Sequence, residues 1–427
     1  VAESLLIRGG RVIDPSRRLD GEADVFIAMG KIAEVGPRLS RRAEREIDAR
    51  GLVVCPGLVD IHVHLREPGL ETKETIATGA RAAAAGGFTT ICAMPNTEPP
   101  LDSRAACEFV LEEGRRAGAA RVLPIGCVTR GRKGEELADL ADLAQGGACA
   151  FSDDGLPVAR ADVMRRALRY ARMLGRVVID HCEDLSLASG GLMHDGLVSC
   201  ALGLPGKPGA AEDVMVARDI LLAEAEGAPV HIAHISTRRA IDLVRAARAR
   251  GVRVTCEATP HHLVFTDEAC RDFDPAKHKM NPPLRERADV EALRAALADG
   301  TIDAIASDHA PHAREEKERE WALAPDGVIG LETTLPVAIA RLVEPGIVSL
   351  ARAIELLTAG PARVFGLECG TLADGVEADV AVLDVTTPYV VRAAGFRSKG
   401  RNTPFDGMEV KGRARVVIVG GEVVHEG

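Results

Sequence analysis

A chain of 427 residues is long enough for one large catalytic domain and a smaller one. Its 46% hydrophobic and 27% charged residues are ordinary for a globular enzyme, and a net charge of −10 argues against a broad nucleic-acid or acidic-membrane footprint, although not against a local cationic pocket. Charged residues interrupt every apolar run before it reaches membrane-spanning length, the first residues lack a signal-peptide pattern, and the ten cysteines form no Cys-x-x-Cys pair. The expectation is a cytoplasmic protein with free thiols, some of them (Cys92, Cys127, Cys149) buried as small hydrophobes.

In chain order, the first fifty-odd residues alternate short β-like runs (5–8, 11–13, 24–28, 31–35) with Gly-Gly, Asp-Pro and Met-Gly turns. The middle changes rhythm to apolar strand, turn and Ala/Arg/Leu-rich helix. Its strand candidates are 58–65, 89–94, 121–128, 148–152, 176–181, 229–235, 252–258 and 302–307, with helices at 103–117, 162–174, 212–226 and 238–250. Eight such units predict an α/β chain built as a (β/α)8 barrel of the TIM type. No glycine fingerprint opens the first helix and no phosphate-cradling loop is present. Residues 313–321 (AREEKEREW) read as a solvated face near the mouth of the barrel. The last fifty residues return to β runs at 378–384, 389–392 and 414–419. The predicted division is therefore a barrel over 55–365 and a small β-sandwich domain assembled from 1–54 and 366–427.

The histidines cluster at strand ends. His62 and His64 close the first strand, and a period of two places both imidazoles on one side. Asp154 follows strand four, His181 ends strand five, His234 ends strand six and Asp308 ends strand eight. Alone, a His-x-His pair is ordinary strand polarity, and Asp153-Asp154-Gly155 is an ordinary turn. Their joint arrival at the carboxyl ends of barrel strands, where such barrels keep their active sites, points instead to a metal centre. Neutral imidazole with carboxylate suits Zn2+ or a related divalent ion. His231, three residues before His234, reads as structural and on the opposite strand face. His261 and His262 read as outer support, and His194, His278 and His425 as packing or surface residues.

The segment Pro56-Gly57-Leu58-Val59-Asp60-Ile61-His62-Val63-His64-Leu65-Arg66-Glu67-Pro68-Gly69 resembles the first-strand signature of the class I dihydroorotases, in the amidohydrolase superfamily. The resemblance continues in order through Met94-Pro95-Asn96-Thr97, Ser152-Asp153-Asp154-Gly155, Asp180-His181-Cys182-Glu183-Asp184 and His234-Ile235-Ser236-Thr237. It extends to Pro260-His261-His262-Leu263, Asn281-Pro282-Pro283-Leu284-Arg285, Asp308-His309-Ala310-Pro311-His312, Gly330-Leu331-Glu332-Thr333 and Ser398-Lys399-Gly400-Arg401-Asn402. It implies zinc-dependent, reversible cyclisation of N-carbamoyl-L-aspartate to L-dihydroorotate in pyrimidine synthesis, with one or two ions per subunit. By that resemblance His62, His64 and Asp308 hold one zinc, His181 and His234 a second, and Asp154 bridges or flanks them. Arg66, Asn96 and His312 would bind the substrate α-carboxylate, with Asn281 near the ring. Arg66 suits that task independently, because its planar fork matches a carboxylate. In the hydrolytic direction, metal-activated water would attack the C4 carbonyl while Asp308 carries the proton to the leaving amide nitrogen.

Hydantoinases and allantoinases resemble this chain in the same first-strand motif, but typically carry a metal-bridging carboxylated lysine after strand four. Here Ala150-Phe151-Ser152-Asp153-Asp154 has no lysine, so a shorter carboxylate must serve; the family favours Asp154 over Asp153. A non-catalytic scaffold homologue is the other alternative, and such proteins lose ligands that are all present here. Partners stay open at this point: the resemblance allows a homo-oligomer and association with aspartate transcarbamoylase, and no sequence feature marks either.

Overall fold

A computed structural model describes residues 4–427; residues 1–3 of the expected amino-terminal segment lie outside the described residues. The strands Ser4–Asp14, Leu19–Ala28 and Lys31–Gly36 form an antiparallel meander whose last turn places Met29 and Gly30 at positive φ. Ser4–Asp14 is continuous where the sequence suggested two runs. Its bulge between Ile7 and Gly10 forks the sheet, so that the first half pairs with Arg45–Asp48 and the second with Val53–Pro56. Val53–Pro56 then pairs with Val380–Asp384, which continues through Arg413–Val419 to Glu422–Glu426. Both ends of the chain thus share one eight-stranded sheet with its own core, including Leu5, Ile7, Val25, Val54, Val380 and Ile418.

At Gly57 the chain turns from this sheet into the barrel. A Cβ there would meet the Thr89 Oγ1 at 2.1 Å, so the close approach requires glycine. Eight parallel strands follow: Leu58–Val63, Phe88–Ala93, Arg121–Gly126, Ala150–Ser152, Val178–Asp180, Val230–Ile232, Val254–Ala258 and Ala304–Ile305. The ring is closed by a parallel bridge from Val63 to His309 and by the His64 N–H on the His309 carbonyl at 2.8 Å. Buried Asp60 adds a side-chain staple, accepting from the Ser307 N–H at 3.2 Å and the His62 N–H at 3.1 Å.

Alternate strand residues serve two layers. Val63, Ile91, Val178 and Val230 pack outward against the helices, while Val59, Ile61, Cys92 and Ile179 fill the barrel interior with Phe365. The expected helices are present as Arg104–Ala117, Ala161–Met173, Ala210–Glu226 and Arg238–Ala249, the first capped by Ser103 and the last by Thr237. Barrel and terminal sheet are tied by Arg121, whose guanidinium holds buried Asp379 at 2.9 and 3.1 Å. All ten cysteines are free thiols, and among the described residues no helix is long and apolar enough to cross a membrane.

Two local expectations are corrected. The run at 389–392 does not join the terminal sheet; Tyr389–Val390 pairs with Glu409–Val410 in a separate ribbon. Residues 313–321 are not simply a solvated face. Only Arg314–Lys317 is helical, and Lys317 is buried with its ammonium donating to the carbonyls of Pro325 (2.8 Å), Gly327 (3.0 Å) and Lys279 (3.3 Å). Trp321 is buried beside it, so charge composition alone misled: a lysine whose three donors all find carbonyls can sit inside.

The tail returns over the barrel. Ser398 donates to Glu74, which also faces His309 Nε2 at 3.3 Å, and Asn402 donates to the carbonyls of Ala310 (3.0 Å) and Gly327 (3.1 Å). Glu332 accepts the backbone N–H groups of Arg397 (2.8 Å) and Ser398 (3.1 Å), and burial pushes its carboxyl up to about 7. A folded-state value above the unfolded one means that this group's contribution is present below about pH 4.5 and lost as pH rises through 7. Glu332→Gln is therefore expected to gain stability relative to wild type between these values, by about 1–2 kcal/mol at pH 8 given partial exposure. Urea unfolding at pH 5 and pH 8 checks it; a pH-independent difference would reject the assignment.

Candidate metal centre

The residues named from strand ends meet at the carboxyl end of the barrel. His62 Nε2 and His64 Nε2 each lie 3.5 Å from an oxygen of Asp154, and Asp308 Oδ1 lies 3.0 Å from His64 Nε2 and 3.5 Å from His62 Nε2. On the other side of Asp154, its Oδ1 is 3.7 Å from both His181 Nδ1 and His234 Nε2, which are 2.8 Å apart. The histidines and Asp154 thus form two trios, His62–His64–Asp154 and Asp154–His181–His234, that share one carboxylate. Asp154, not Asp153, reaches them. Asp153 turns away to accept the backbone N–H groups of Val128 and Thr129, both at 3.0 Å.

The donor set suits a divalent ion. His62 Nε2 and Asp154 Oδ1 are buried without a hydrogen-bond partner, an arrangement that costs free energy unless another group satisfies it. The far nitrogens of the first pair are already committed: His62 Nδ1 faces Glu257 Oε1 at 2.5 Å and His64 Nδ1 faces Asn96 Oδ1 at 2.8 Å. Those oxygens accept only, so both rings carry their proton on Nδ1 and leave Nε2 as ligand atoms. Burial opposes charge on Asp154 and Asp308, but the charge of a protonated His62 and contacts from the neighbouring imidazoles outweigh it and hold both carboxyls well below their ordinary range; with Nε2 deprotonated for ligation, a bound cation would take over that role. Arg66, His234 and Asp308 have φ of 66°, 30° and 46°. Left-handed backbone at non-glycine residues is strained by about 1–3 kcal/mol each, and here it aims three side chains into the same mouth.

The mouth is a cavity of about 210 Å3 lined by His64, Arg66, Asn96, Asp308 and His312 among others. Arg66 is 8% exposed, donates to the Pro311 carbonyl at 3.2 Å and has no carboxylate within ion-pair distance among the described residues. Burial lowers its pKa to about 10, which still leaves it cationic at neutral pH. Asn96 spends its oxygen on His64, so its amide N–H groups remain for a ligand. His312 donates its Nε2–H to the Asp326 carbonyl at 2.8 Å, and burial, then Arg66, push its pKa down to about 2. Asn281 lines the cavity but is engaged at both ends, by Lys207 Nζ at 3.0 Å and by Glu183 at 3.2 Å, with its amide nitrogen 3.0 Å from His181 Nε2.

Sequence reasoning missed Glu257, Glu183, Lys207 and Arg132, the last of which donates to the Asp154 carbonyl at 2.6 Å. Glu257 did carry a signal, a carboxylate between Cys256 and Ala258 near the end of a barrel strand. His231 is corrected: it lies inside the barrel, 3.2 Å from Glu257 Oε2 and 2.8 Å from Thr255 Oγ1. The parity argument failed because His234 lies past the strand end at positive φ, where alternation no longer holds. His262 bonds Thr259 and the Pro282 carbonyl, while His261 is buried and pushed down to about 4 by burial. His194 and His278 are buried polar groups facing Arg285 and Asp272.

Because Asp154 belongs to both trios, Asp154→Ala is expected to weaken metal retention at each by more than the about 10- to 100-fold that losing an outer hydrogen-bonding partner of a ligand costs. Elemental analysis after dialysis against a chelator reads it directly; wild-type metal content would exclude the shared role.

The Dihydro-orotase-like family matches residues 51–240. A dihydroorotase from Pelotomaculum thermopropionicum is 54% identical over 98% of both chains, and one from Geobacter sp. strain M21 is 52% identical over 99% of both. Among solved structures, the L-hydantoinase (dihydropyrimidinase) of Arthrobacter aurescens superimposes with a TM-score of 0.88 at 29% identity, covering 99% of this chain and 96% of that one. The fold, the converging strand-end histidines and aspartates and these full-length similarities agree: the chain belongs to the dihydroorotase family.

Proposed function

We propose that this protein is a dihydroorotase, interconverting N-carbamoyl-L-aspartate and L-dihydroorotate at a zinc centre of one or two ions. The observation that carries the substrate class is Arg66, a buried cation without a carboxylate partner beside the two histidine trios. A buried charge is costly unless paired, and an anionic substrate supplies the pair.

His62, His64, Asp154, His181, His234 and Asp308 would hold the metal, which when bound polarises the ring carbonyl and makes water nucleophilic near neutral pH. Arg66 grips the α-carboxylate through its planar fork, and Asn96 offers its amide N–H groups to the same anion. His312 completes the grip if its Nε2–H exchanges the Asp326 carbonyl for the ligand. Asn281 acts mainly through His181 and Lys207, given the contacts it already makes. In hydrolysis, Asp308 takes a proton from the attacking water and returns it to the ring nitrogen as the C4–N bond breaks; in synthesis the same carboxyl works in reverse.

The carboxylate at the shared position, in place of the lysine of hydantoinases, supports dihydroorotate over hydantoin. A homo-oligomer and association with aspartate transcarbamoylase accompany this reading on resemblance alone, a cytoplasmic location on the scattered cysteines, and copurification tests the second.

Asp308→Asn is expected to lower kcat by about 10²- to 10⁴-fold while the protein retains metal, measured by ultraviolet-monitored dihydroorotate hydrolysis with elemental analysis. Near-wild-type turnover would remove Asp308 from the proton path. A panel of dihydroorotate, hydantoin, dihydrouracil and allantoin tests the substrate; preference for hydantoin or allantoin would overturn it and leave the metallohydrolase standing.

A further inference from the structure

We infer that Glu257 is a positioning residue that presets both halves of the metal centre from beneath. This rests on the metallohydrolase reading above and extends it to a side chain outside the ligand set.

Glu257 stands on the seventh strand, Val254–Ala258, and is 1% exposed. Its two oxygens make different contacts. Oε1 receives His62 Nδ1–H at 2.5 Å and the His234 backbone N–H at 3.3 Å. Oε2 receives His231 Nε2–H at 3.2 Å, and His231 Nδ1 is closed by Thr255 Oγ1 at 2.8 Å.

The first contact settles a tautomer. A neutral imidazole has one N–H, and a carboxylate on Nδ1 keeps that proton away from Nε2, the atom facing Asp154 and Asp308. It also makes Nε2 a stronger donor to a cation. The second contact addresses a conformation. His234 is held at φ 30°, where a residue with a side chain is strained, and its inward N–H needs an acceptor that no neighbouring strand provides there. One oxygen therefore orients a ring of the first trio and secures the backbone that presents a ring of the second.

His231 and Thr255 anchor the carboxylate from below. An internal ion pair with no bearing on the metal would need only the His231 contact. The added contacts to the His62 ring and the His234 amide fit a carboxylate placed to serve both trios.

The test uses the metal-loaded enzyme and a chelator of known zinc affinity. Glu257→Gln keeps an acceptor oxygen but loses the charge, and His231 accommodates the new amide through its other tautomer. It is expected to release zinc at about 10-fold lower chelator concentration from each occupied position, and Glu257→Ala at up to about 100-fold lower. Saturating zinc should then restore kcat in Glu257→Gln with an unchanged KM, a recovery that a purely structural defect would not show. Wild-type zinc retention by Glu257→Gln at any occupied position overturns the proposal, and this variant decides the matter even if Glu257→Ala does not fold. Wild-type enzyme that holds no zinc would instead overturn the metal centre itself.

Discussion

Asp154 carries the constraint on which the rest of the site depends: one buried carboxylate must face imidazoles from three different strands at once. Its Oδ1 lies 3.5 Å from His62 Nε2 and 3.7 Å from both His181 Nδ1 and His234 Nε2. Without that negative charge, the imidazoles would converge with only Asp308, on the His62 and His64 side, to balance a dication among them. Its place is itself supported, by Ser152 Oγ accepting the Asp154 N–H at 3.0 Å and by Arg132 on the carbonyl.

Around this point the barrel uses polar groups as joints. Asp60 staples strand eight to strand one, Glu257 sits under two ligand strands, and Glu74 links strand eight to the returning tail through His309 and Ser398. Each is a carboxylate in an apolar setting whose oxygens are met by N–H or O–H groups, so burial is tolerated and geometry becomes specific. The strained backbone at Arg66, His234 and Asp308 belongs to the same design. Strand ends that leave regular φ/ψ can aim side chains across the mouth where straight strands would aim them at one another's neighbours.

Much of this is legible in the amino-acid sequence. The eight strand positions, the helices between them and the places of the histidines and aspartates at strand ends follow from local periodicity, because a period of two and a period of 3.6 are written into short stretches of chain. The failures were equally physical. Lys317 and Trp321 sit inside a segment whose composition reads as solvated, because the carbonyls that satisfy Lys317 come from Lys279 and from residues 325 and 327. Arg45–Asp48 and Val53–Pro56 carry too little pattern to announce themselves, and become strands only beside Ser4–Asp14. His231 was assigned to the wrong face because alternation stops where the strand stops.

The sequence by itself determined the fold class, the histidines and aspartates that gather at the strand ends and the presence of Arg66 two residues past the histidine pair, since each is a matter of residue type and short-range spacing. Only the tertiary structure decided that Asp154 rather than Asp153 is shared, that Asn281 is already engaged, that Arg66 has no carboxylate partner, and that Glu257 lies beneath both trios. These depend on which groups from distant strands share a buried space, and hydrogen-bond partners at separations such as 195 residues leave no local trace in the chain.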